Sequence, residues 1–115
     1  MNILINGVGG PTPRSIARSI KEFSKYKDAK LIGIDINPYA HGLYEKLYEF
    51  TYLVPPASHP NYWERIEFII KKHDIDIAMV HPEAEVLEWS KRSITNTLPC
   101  KALLPSLKIA ELLTN

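Results

Sequence analysis

This chain is short of cysteine, of net charge and of long apolar runs, and each shortage removes a class of protein. Its one cysteine, Cys100, has no partner for an internal disulfide, which fits a reducing compartment. The neighbours Pro99 and Ala102-Leu103-Leu104 are the setting of a buried structural thiol rather than of a nucleophile. No stretch approaches the ~20 apolar residues of a membrane-crossing helix. Met1 leads straight into a strand pattern, leaving no room for a signal peptide. The expectation is a cytoplasmic chain with no membrane partner. Fourteen Lys and Arg against thirteen Asp and Glu leave a formal charge of +1, and only Lys71-Lys72 and Lys91-Arg92 are adjacent. Such scattered cations read as solvated helix faces, so no nucleic-acid partner is expected.

Chemical signatures are missing as well. His41, His59, His73 and His81 lie far apart, without metal-ligand spacing. There is no Gly-x-Ser-x-Gly elbow and no Gly-x-x-x-x-Gly-Lys phosphate loop. A phospho-acceptor receiver domain needs an acid at the end of a middle strand, but the third strand pattern ends in Val54-Pro55. No catalytic and no metal-binding residue is therefore assigned.

What remains is a length of 115 residues and a hydrophobic share of 45%, enough for one domain with a continuous core. Strand and helix patterns alternate from end to end. Strands are predicted at Asn2–Asn6, Leu31–Asp35, Phe50–Val54, Asp76–Val80 and Lys101–Leu104. A helix from near Arg14 presents Ile16, Ala17, Ile20 and Phe23, and a turn or two of helix fits Leu43 to Leu47. Pro60 suits the first position of a helix carrying Trp63, Ile66, Ile69, Ile70 and His73. A helix from Glu83 to Arg92 is expected to bury Val86 and Leu87, with Tyr39, Tyr44, Tyr48, Tyr52 and Tyr62 covering the sheet. Ser106 caps a last helix bearing Leu107, Ile109, Ala110, Leu112 and Leu113. That helix stops at Asn115 before its apolar stripe meets anything, as in a fragment of a longer protein. The pattern implies an α/β, Rossmann-like three-layer sandwich whose five-stranded parallel sheet has the order 3-2-1-4-5. Ligands in such folds sit at the carboxyl ends of the strands, where the strand order reverses.

Three of only five glycines fall at that edge, in Asn6-Gly7-Val8-Gly9-Gly10-Pro11-Thr12-Pro13. A strand that turns through glycines into a helix can bring backbone amides to an anion. Gly7 and Gly9 match the first two glycines of a dinucleotide fingerprint, but Thr12 stands where the third belongs. A tight turn with no ligand is the alternative. Arg14, in the first helical turn, is either a carboxylate or phosphate clamp or a solvated side chain. Asp35 and Asn37 either meet a ligand hydroxyl or amine, or form an Asp-x-Asn-Pro turn. Glu83 and Glu85 suit a helix N-terminus on electrostatic grounds alone, yet lie at the same edge and could bind an amine or cation.

The order of these motifs resembles one family. Gly-x-Gly-Gly-Pro, an Ile-Ala-Arg-Ser-Ile helix and Ile-Gly-Ile-Asp-Ile-Asn-Pro are followed by Tyr-x-Val-Pro, Asp-Ile-Ala-Met-Val-His-Pro-Glu-Ala-Glu-Val-Leu and Leu-Leu-Pro-Ser-Leu. This succession, over essentially the whole chain, resembles the N-terminal domain that precedes the ATP-grasp fold in carboxylate–amine ligases of the carbamoyl-phosphate synthase large-chain type. The resemblance implies that residues 1–115 form a pre-ATP-grasp domain lining one wall of a substrate crevice. It places Gly7, Gly9, Gly10 and Pro11 on one side and Glu83 and Glu85 on the other. ATP and Mg2+ would belong to a downstream ATP-grasp domain, since no glycine follows Gly42 to make a lid. The expected partners are that domain and a small carboxylate or amine substrate, with a homodimer left open. No cofactor is expected on this chain itself. Its rivals are a small NAD(P)-binding domain and a non-catalytic regulatory or oligomerisation module.

Overall fold

The computed structural model describes residues 1–23, 28–44 and 46–104. In chain order the elements are β1 (Asn2–Asn6), α1 (Pro11–Phe23), β2 (Lys30–Asp35), a 3-10 turn (His41–Tyr44), β3 (Phe50–Leu53), α2 (Tyr62–His73), β4 (Ile77–Met79), α3 (Glu83–Ile94) and β5 (Lys101–Leu103). All four strand pairings are parallel, and the sheet order is β3-β2-β1-β4-β5, as the pattern predicts.

Alternation along the central strands explains why helices cover both faces. Ile3 and Ile5 of β1 and Leu31 of β2 pack with Val8, Ala17, Leu43 and Tyr48, on the side of α1 and the 3-10 turn. Leu4, Ile32, Ile34, Ala78 and Val80 point the other way, against Tyr62, Ile66 and Ile69 of α2 and Trp89 of α3. No helix among the described residues is long and apolar enough to cross a membrane.

Several boundaries and faces differ from the sequence pattern, each for a local reason. Helix α1 begins at Pro11 rather than near Arg14, because a proline costs no hydrogen bond at a helix's first position. Pro60 instead occupies a turn: the Tyr62 N–H donates to the His59 carbonyl at 3.0 Å, and α2 starts at Tyr62. Proline with φ near −65° suits the second position of such a turn, and Asn61 (φ −91°, ψ 3°) has the third position's geometry. Helix α3 turns its Glu85–Trp89 line inward and leaves Leu87 about half exposed, with Val86 only partly covered. Tyr48 and Tyr62 are buried in the sheet layers, whereas Tyr39 and Tyr44 project into solvent from the β2–β3 connection. Cys100 is half-buried, and burial pushes its thiol up to about 11, which keeps it protonated and unreactive near neutrality. The helix expected from Ser106 onward lies outside the described residues.

Candidate functional site

The carboxyl ends of β1, β2 and β4 carry the predicted residues to one edge of the sheet. β1 ends at Asn6 and the chain reverses at Gly7, whose φ of 71° is a conformation in which side chains are strained. The Gly7 and Val8 N–H groups both donate to the Ile34 carbonyl, at 2.8 and 3.2 Å. Gly9 N–H donates to Asp35 Oδ2 at 2.9 Å, and Gly10 N–H to the Gly7 carbonyl at 2.9 Å. Pro11 and Pro13 have no N–H to offer. Within residues 7–13, only the Thr12 N–H has no partner among the described residues. The glycine loop thus spends its amides on its own fold, where an anion cradle would leave them free.

Asp35 is the hub of that bracing. Its Oδ1 accepts the Asn37 N–H at 2.9 Å, while Asn37 Oδ1 accepts the Tyr39 N–H at 3.0 Å. Asp-x-Asn-Pro is therefore a built turn as well as an edge residue pair. Pro11 and Arg14 are exposed on α1, beside the loop. Glu83 is exposed at the first position of α3, where a carboxylate meets the favourable end of the helix dipole.

Glu85 is placed differently. It is only 4% exposed, and its Oε1 accepts from Tyr62 Oη at 2.6 Å and from Asn6 Nδ2 at 3.1 Å. Tyr62 Oη in turn accepts from Trp89 Nε1 at 2.9 Å. This chain of contacts ties the end of β1 to the starts of α2 and α3. Burial raises the Glu85 carboxyl above its ordinary value, opposed by the two donors. Burial and the Glu85 charge push the Tyr62 hydroxyl far up, so it remains a neutral donor. Asn6 Oδ1 and His81 Nε2 are both buried without a partner among the described residues, and burial lowers the His81 imidazole. Pro82 stands against the glycine loop: a side chain at Gly7 would meet Pro82 Cγ at 2.6 Å.

Glu85 should make stability depend on pH. Below its unfolded value of about 4.5 the carboxyl is neutral in both states and its contribution is fully present. As pH rises through the raised folded value, the unfolded chain ionises first and that stability is lost. Urea unfolding between mildly acidic and neutral pH should show native stability falling relative to Glu85→Gln, which cannot ionise there. A constant difference between the two chains across that range would contradict it.

Asn6, Tyr62 and Trp89 do not stand out in the sequence as site residues. The available signal was the Glu85–Trp89 spacing of four, which puts an acid and an indole on one helical line. Among the described residues, no three His, Cys, Asp or Glu side chains come together to hold a metal ion.

No family model matches this chain, and no curated protein matches it. Solved structures do. A dTDP-glucose 4,6-dehydratase from Bacillus anthracis str. Ames, in complex with NAD, matches 78% of the chain with a TM-score of 0.53 and 19% identity. The fold is Rossmann-like. The matched region is 29% of the dehydratase's own length, so this chain is similar to a minor part of that enzyme.

Proposed function

We propose that this chain is the N-terminal wall and scaffold of an ATP-dependent carboxylate–amine ligase of the carbamoyl-phosphate synthase-like kind. The observation that carries this reading is the self-satisfied glycine loop, with Gly7, Val8, Gly9 and Gly10 each donating inside the domain. Such a loop is a preformed surface against which a substrate can lie, rather than a pyrophosphate clamp. Glu83 and Asn37 are exposed at the same edge as the loop and offer a carboxylate and an amide to a small substrate. Glu85, beneath them, holds that edge together through Asn6 and Tyr62. On this reading no phosphoryl-transfer step is assigned to this domain. ATP and Mg2+ belong to a downstream ATP-grasp domain.

A second reading has the structural comparison on its side: a small NAD(P)-binding domain. The dehydratase it resembles was solved with NAD, whereas none of the comparisons speaks for a ligase. An acid at the end of β2 also stands where a ribose-binding acid would. Against it, both Asp35 oxygens already accept backbone amides, and Thr12 replaces the third glycine. Calorimetric titration with NADH, NADPH and ATP separates the two. The ligase-wall reading expects no binding tighter than about millimolar for any of them. Micromolar binding of a nicotinamide nucleotide, lost in Asp35→Ala, would establish the second reading and overturn the first.

A further inference from the structure

The sheet is covered unevenly at its β5 end. Cys100, Ala102 and Leu104 pack into the layer of α2 and α3, so alternation turns Lys101 and Leu103 of β5 to the α1 side. On that side α1 and the 3-10 turn cover Ile3, Ile5 and Leu31 in the middle of the sheet, but Ile77 and Met79 of β4 only in part. Leu103 joins neither core and is about half exposed. Between α1 and the ends of β4 and β5 an apolar pocket of about 280 Å³ is left, lined by Ile16, Met79, Val80, His81, Leu103 and Leu104.

A parallel sheet needs cover on both faces. The α2 and α3 crossovers both run on the far side, so no described element lies over this corner. Leu104 stands at the rim of the pocket, and the chain continues from it as Pro105-Ser106-Leu107-Lys108-Ile109-Ala110-Glu111-Leu112-Leu113-Thr114-Asn115. At the helical spacing of about 100° per residue, Leu107, Ile109, Ala110 and Leu113 share one side, opposite Lys108 and Glu111. Ten helical residues are about 15 Å long, against about 10 Å for the three-residue strands β4 and β5. The stripe is therefore long enough for the bare face. Tethered at the rim, it competes at an effective concentration of order millimolar, whereas a separate partner or a second copy loses translational freedom on docking.

We propose that residues 106–115 cover the α1-side face of β4 and β5 and close the pocket. A strand-to-helix return on this side runs back along β5, which sets Leu107 over Leu103 and Met79, and Leu113 over Ile77. Lys108 and Glu111 then face water. The chain's own continuation thus fills the pocket, which is not a ligand site. The proposal is independent of the ligase reading and holds equally for a nicotinamide-binding domain.

The test uses the whole chain in a Cys100→Ser background, with cysteine pairs oxidised and read by mass spectrometry. Ile16→Cys/Ala110→Cys is expected to close an intramolecular disulfide about tenfold faster or more than Ile16→Cys/Lys108→Cys, whose second thiol faces away. Circular dichroism and a melting curve establish that each variant folds. A second measurement needs no substitution: amide hydrogen exchange of the native chain should be slow over residues 107–113, as in a packed helix. Equal oxidation rates for the two pairs would overturn the proposal, and so would free exchange across 107–113. Disulfides that join two copies in place of closing one chain would overturn it as well, assigning the face to a dimer.

Discussion

Trp89→Ala is expected to lower the free energy of unfolding by about 3–5 kcal/mol, the range for emptying a large aromatic site. The indole is fully buried, packs 5.2 Å from the ring of Trp63 and donates its only N–H to Tyr62 Oη. Its loss leaves a cavity between α2, α3 and the sheet and also releases one member of the Asn6–Glu85–Tyr62–Trp89 chain. Trp89→Phe should cost less, about 1–3 kcal/mol, because the ring volume is partly kept while the N–H is lost. Tyr62→Phe is informative beside it, since it strands Trp89 Nε1 without an acceptor and removes the shorter of the two hydrogen bonds to Glu85. If the four groups act as one network, the Tyr62→Phe/Trp89→Phe double variant will be less destabilised than the sum of its parts. Urea unfolding of the four chains reads both effects. Strict additivity would show that the contacts are independent.

Gly42→Ala should be the most damaging of the small substitutions, costing about 3 kcal/mol. A side chain at Gly42, in the 3-10 turn, would run directly into the Val8 carbonyl. That carbonyl belongs to backbone and cannot swing away as a side chain can. Moving it would disturb the Val8 and Gly9 N–H bonds that hold the glycine loop to Ile34 and Asp35. The contrasting substitution is Gly10→Ala. Its added methyl would find nothing nearer than 3.4 Å, and Gly7 is the glycine that carries a positive φ. It should fall within about 0.5 kcal/mol of the native chain. A urea midpoint lowered for Gly42→Ala and unchanged for Gly10→Ala is the expected pair of results. The reverse order would mean that the loop is braced from its helical side and not from the 3-10 turn.

These two sites differ in how far the sequence announced them. Gly42 looks in the sequence like an ordinary loop glycine, and nothing near it in the chain indicates Val8, which is distant in sequence. The acid at position 85 was legible as a helix-start carboxylate, which is where Glu83 indeed sits. Its burial was not legible, because a helix buries whichever line faces its neighbour, and that neighbour is Tyr62 of α2. The same cause misplaced Leu87. On apolarity alone it belongs inside, but α3 is rolled so that Glu85 and Trp89 face the sheet and Leu87 faces water.

The glycine loop shows the division most sharply. Its residues, the acid at the end of β2 and the prolines at 11 and 13 are all visible in the chain, as are two alternative readings of them. Which reading the backbone favours depends on the direction of four N–H groups, and that direction follows from how close β2 and its turn approach. Asp35 takes the Gly9 amide only because the parallel pairing sets Asn6 beside Ile34 and brings the two strand ends level.

Local chemistry decided the rest. Alternating apolar residues in β1 and β2 require a covered sheet on both faces, and the spacing of strand and helix patterns leaves parallel right-handed crossovers as the short connection. Those constraints act between near neighbours in the chain and are therefore written in it. The buried acid and the spent amides arise between residues brought together from distant segments, and only the folded packing determines which groups meet.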